Sequence, residues 1–194
     1  MKITIAIILN LALFILGMIG CIGEFKREKF KTFRFYTYDS NVVGTVAGLA
    51  MAVCLLTGQV PGWVAGLKFA GTCCLALTFL VVIFVLAPGH GPGGYRTSLL
   101  EGNMKYQHLL CPLLAIVSYA FADSLPAPTT GMILVAWSLT VIYAIVSVVL
   151  NVLKVMVGPY PFLHVYEQPW WASVLWGVGI VGVDLLLVWA ISVI

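Results

Sequence analysis

The chain has 194 residues, 62% hydrophobic and 9% charged, whereas soluble domains carry about a quarter charged residues. A net charge of +3 offers no basic soluble face for nucleic acid, which is excluded as a partner. The five cysteines, Cys21, Cys54, Cys73, Cys74 and Cys111, all lie in apolar runs, where neither a disulfide framework nor a zinc-site spacing can be drawn.

The composition and the run lengths predict an all-α polytopic membrane protein, a single domain over 1–194 with six transmembrane helices in one bundle. The first apolar run covers residues 3–23. It is read as a retained helix rather than a signal peptide, because only Lys2 precedes it while Lys26, Arg27, Lys29, Lys31 and Arg34 follow. Phenylalanines interleaved with these cations suit an interfacial anchor.

A second run covers 35–57 and opens on Thr37, Asp39, Ser40 and Asn41. Thr37 and Asn41, four residues apart, share a face of a helix that has already begun, whereas Asp39 points elsewhere. The plain alternative is that Thr37 or Asp39 caps the helix entry. The third run, 67–87, leads into Gly89-His90-Gly91-Pro92-Gly93-Gly94, which matches the dinucleotide fingerprint by letter. A membrane helix, not a strand, precedes it and Pro92 stiffens its middle, so it reads as a loop.

The fourth run, 104–122, begins among Glu101, Asn103, Gln107 and His108, and Pro112 is expected to kink it by blocking the hydrogen bond to the His108 carbonyl. The fifth and sixth runs cover 132–153 and 171–193. Between them Gly158-Pro159-Tyr160-Pro161 forms a stiff turn that presents Tyr160, with His164, Glu167 and Gln168 beyond. All three histidines thus fall at one end of the bundle. Asn10 and Asp184 lie far from it at matching depth and are expected to pair between the first and sixth helices.

Eight of the ten Lys and Arg residues follow spans one, three and five, so these loops are expected in the cytoplasm and both termini outside.

Together, Phe35-Tyr36-Thr37-Tyr38-Asp39-Ser40-Asn41, His108-Leu109-Leu110-Cys111-Pro112 and Gly158-Pro159-Tyr160-Pro161-Phe162-Leu163 resemble the androgen-induced protein family and its bacterial relatives. These are six-helix membrane threonine hydrolases that cleave fatty acid esters of hydroxy fatty acids. The resemblance covers nearly the whole chain, with His164 standing where family members carry an acidic residue. It implies a lipid-ester hydrolase with Thr37 as nucleophile, His108 as its base and no cofactor. Lipid substrate and bilayer are then the partners. Asn41 is the first candidate oxyanion donor and Tyr160 the second. Asp39, Glu101 or Glu167 could orient His108, and Arg34, Arg96 or Lys105 could hold a substrate carboxylate. Two other readings stay open. One is a zinc-dependent membrane hydrolase built from His90, His108 and His164 with Glu101 and Glu167; the other is a non-catalytic lipid carrier or small transporter using the same cavity.

Overall fold

The computed structural model describes all residues 1–194, and every regular element in it is helical. Helix α1 spans Lys2–Glu28 and passes through a tight turn, Lys29–Arg34, into α2, Tyr36–Thr57. Helix α3 spans Gly62–Val81 and runs on through a wide turn, Val82–Leu86, to Ala87–Gly89. The short α4, Gly94–Leu99, is followed by α5 over 105–122, then α6, Thr130–Val152, and α7, Trp170–Ser192.

The helix ends follow local chemistry. Gly58 closes α2 in the left-handed conformation, φ 78°, which costs glycine nothing. Thr129 caps α6 by accepting the Met132 N–H at 3.3 Å.

Five helices are long and apolar enough to cross a membrane. The sixth expected span, α5, is a continuous helical segment, but Lys105, Gln107 and His108 dilute its apolar character and its first and last turns are widened to the π register. In the first of these turns the Cys111 N–H reaches back to the Tyr106 carbonyl, five residues away. In that register the missing Pro112 N–H strands the carbonyl of Gln107 rather than that of His108. Asn41 fills the gap, donating Nδ2–H to Gln107 O at 3.0 Å.

Helix α3 lies at the centre, packed by α2, α5, α6 and α7, with α1 against α2 and α5. Large and small side chains interlock in the contacts: Phe69, Cys73 and Ala76 meet Ala136 and Val188, and Leu13 meets Leu75, Cys111 and Ala115. The outer faces of α6 and α7 expose Ile142, Val149, Leu186 and Trp189, a surface suited to acyl chains and not to water.

Polar residues inside the bundle are paired otherwise than depth alone suggests. Asn10 donates to Asp123 Oδ1 at 2.6 Å, and Asp123 Oδ2 stands 3.5 Å from Lys68 Nζ, which donates to Ser118 at 2.7 Å. The expected pairing of Asn10 with Asp184 is therefore corrected. Helix α5 packs beside α1, whereas α7, which carries Asp184, packs on α3 and α6, and the Asp184 carboxyl is buried with no hydrogen-bond partner.

Candidate active site

Thr37 is the second residue of α2, so its N–H is one of the helix's unpaired donors, and no α2 side chain caps it. The cap comes from far along the chain. The Tyr160 hydroxyl accepts the Thr37 N–H at 3.2 Å and lies 3.2 Å from Thr37 Oγ1.

What holds Tyr160 there is the stiff turn before α7. Asn151 donates to the Leu163 carbonyl at 2.8 Å, and the turn folds back closely at Gly158, where a Cβ would lie 2.5 Å from that of Leu163. Tyr160 stacks on Phe162 and meets Phe35 edge-on. Burial pushes its phenol above the ordinary range, so it remains a neutral O–H.

His108 sits in the widened turn of α5. Its Nδ1 is 2.7 Å from the main-chain carbonyl of Ser98, on α4. A carbonyl only accepts, so Nδ1 carries the proton and Nε2 presents a lone pair, the tautomer a general base needs. Ser98 Oγ also meets His90 Nδ1 at 2.9 Å. The glycine-rich loop serves this contact: a Cβ on Gly94 would fall 2.0 Å from the Ala87 carbonyl, so only glycine lets the chain turn tightly enough to lay α4 against α5.

Thr37, Tyr160 and His108, each only 8% exposed, line one polar cavity of about 390 Å³ with Glu24, Arg27 and Gln107. No hydrogen bond joins Thr37 to His108; the partner of the threonine hydroxyl is Tyr160. Thr37 and Tyr160 also line a narrow apolar cavity of about 70 Å³, walled by Leu77, Val81, Tyr143, Phe162, Trp176 and Ile180. The two residues thus stand where a polar chamber adjoins an apolar one.

The other expected site residues are distributed differently. Asn41 shares the Thr37 face as expected, but its Nδ2 hydrogens go to the carbonyls of Thr37, at 2.8 Å, and Gln107. No N–H of its side chain is left for an oxyanion, whereas the Tyr160 hydroxyl stands beside Thr37. Asp39 and Arg34 line a separate pocket on the opposite face. Arg96 pairs with Glu101 at 3.2 Å, and Lys105 lies over the Tyr106 ring. Glu167 pairs with His164, whose other nitrogen meets Gly158 O at 3.0 Å. None of the three acidic candidates therefore orients His108; a main-chain carbonyl does. His164 stands apart from His90 and His108, and no group of three or more His, Cys, Asp or Glu side chains is placed to hold a metal ion.

Glu24 and Arg27, ion-paired to each other, were not singled out from the sequence. They belong to the interfacial charge cluster after the first span, and the one available signal was an acid three residues before a cation at the end of an apolar run.

Comparison with known proteins finds no matching family model, no matching curated protein and no matching solved structure.

Proposed function

We propose that the chain is a membrane lipid-ester hydrolase with Thr37 as nucleophile and His108 as base, as the resemblance to the androgen-induced protein family implies. The observation that carries this reading is the position of Thr37: it lines both an apolar cavity and a polar cavity that holds an imidazole in the base tautomer.

An ester enters with its acyl chain in the apolar cavity and its carbonyl at Thr37. His108 Nε2 removes the Thr37 Oγ proton, directly once the substrate draws the groups together or through one water, and Oγ bonds to the carbonyl carbon. Negative charge develops on the carbonyl oxygen beside the N-terminus of α2, where the helix dipole favours it and the Tyr160 O–H can donate. As the ester C–O bond breaks, the imidazolium protonates the departing alkoxide. Water, activated by the same imidazole, then splits the acyl-threonine into a fatty acid and free Thr37.

The positive-inside tendency assigns the loops after α1, α3 and α6 to the cytoplasm and both termini to the outside. The lipid-carrier reading draws on one observation, that the Thr37 hydroxyl is engaged by Tyr160 rather than His108. Ester hydrolysis by the native chain and by Thr37→Ala separates the two: the hydrolase reading predicts release of fatty acid by the native chain alone, and equal release by both overturns it.

A further inference from the structure

Arg27, the one Lys or Arg lining the polar cavity, and the three cations expected to hold a carboxylate are already engaged. Arg27 pairs with Glu24 and lies 3.9 Å from Glu28, and Arg34 is 3.7 Å from Glu28. Arg96 is taken by Glu101, and Lys105 rests on an aromatic ring. A substrate carboxylate entering here meets no unpaired guanidinium. It would also displace or face Glu24, an acid 4% exposed in the cavity wall.

The Glu24 Oε2 atom is buried without a hydrogen-bond partner. An ionised carboxylate oxygen left so is costly, and a hydroxyl donor would relieve it. Tyr38, Ser98 and Gln107, also in the wall, are neutral hydrogen-bonding groups. They suit a polar headgroup without net charge.

We propose that the polar cavity binds a neutral, hydroxyl-bearing headgroup, donated to Glu24, so that the preferred ligand is a monoacyl lipid of an uncharged polyol such as glycerol rather than one bearing a free carboxylate. As a substrate preference this rests on the hydrolase reading; as a binding preference it does not. In the reaction the acyl carbon leaves the glycerol oxygen for Thr37 Oγ, the proton taken from Oγ passes through His108 to that glycerol oxygen, and water then releases the fatty acid.

The test is binding of two tritiated ligands to the detergent-solubilised full chain: 1-O-hexadecylglycerol, an ether that cannot be hydrolysed, and palmitate. The ether is expected to bind at least about tenfold tighter, and Glu24→Gln, with its carboxylate removed, to lower ether affinity by about tenfold. Glu24→Asp, which keeps the carboxylate, should retain most of the preference. Palmitate binding as tightly as the ether overturns the proposal, and this comparison in the native chain stands whether or not a variant folds. A folded Glu24→Gln protein that binds both ligands within about twofold of the native chain also overturns it. Phosphonate labelling of Thr37 judges the hydrolase reading separately: ether selectivity without labelling leaves the headgroup site standing and removes the reaction.

Discussion

His108 Nδ1 donates to the Ser98 carbonyl at 2.7 Å, so the imidazole is oriented by the backbone of a loop helix and not by an acidic side chain. That loop closes through Gly94, where a methyl group would strike the Ala87 carbonyl. Gly94→Ala is expected to shift α4 and lower ester turnover by about tenfold or more, since a misplacement of about 1 Å can cost more than that. Gly89→Ala, which meets nothing within 4 Å, is the control and should match the native rate. Turnover by both variants at equal helicity, measured by circular dichroism, checks it.

Tyr160 reaches both the N–H and the hydroxyl of Thr37 through one oxygen. Tyr160→Phe keeps the stacking on Phe162 and removes that oxygen. The expected cost is about 1 kcal/mol of stability and a fall in turnover on the order of 10²-fold, within the range for loss of one donor to a developing oxyanion. Steady-state kinetics with thermal unfolding of the same preparation measures both. An unchanged rate would remove Tyr160 from the chemistry and leave it a helix cap.

The helical bundle is legible in the sequence because run length and breakers are local properties: Gly58 ends α2 and Pro61 immediately precedes α3. Depth was legible for the same reason, and it brings Thr37, His108 and Tyr160 to one end. Azimuth was not. Which face of a helix meets which neighbour depends on packing that apolar sequences scarcely encode, so Asn10 was matched with Asp184 when Asp123 is its partner. The roles of Asn41 and Ser98 were hidden for a further reason. Both contacts involve main-chain carbonyls, one of them freed by Pro112 in a widened turn, and the carbonyl of one residue looks like that of any other until the turn geometry is known.

Lys68 and Asp123 are both fully enclosed between α1, α3 and α5, with Asn10 and Ser118 completing the set. Breaking one side of a buried ion pair leaves a bare charge and typically costs about 3–5 kcal/mol, whereas replacing both with apolar residues can be neutral. Lys68→Met is thus expected to lower the thermal unfolding temperature in detergent sharply, and Lys68→Met with Asp123→Leu to recover most of the loss. Equal destabilisation by the single and double variants would contradict the pairing.

The cytoplasmic assignment of the α3–α5 loop predicts that a cysteine at Arg96, an exposed position, is shielded in intact cells from an impermeant thiol reagent and reacts after permeabilisation. The native cysteines are buried except Cys54, which is half-buried and is replaced by alanine for the assay. Labelling of Arg96→Cys in intact cells would invert the topology and place the candidate site outside.

The reaction itself is tested most directly by locating a fluorophosphonate adduct by peptide mass spectrometry. The account predicts that the adduct maps to Thr37, disappears in Thr37→Ala, persists in part in Thr37→Ser, and forms roughly 10²- to 10⁴-fold more slowly in His108→Ala through loss of the base. An adduct on another residue, or labelling of Thr37→Ala at the native rate, would contradict it.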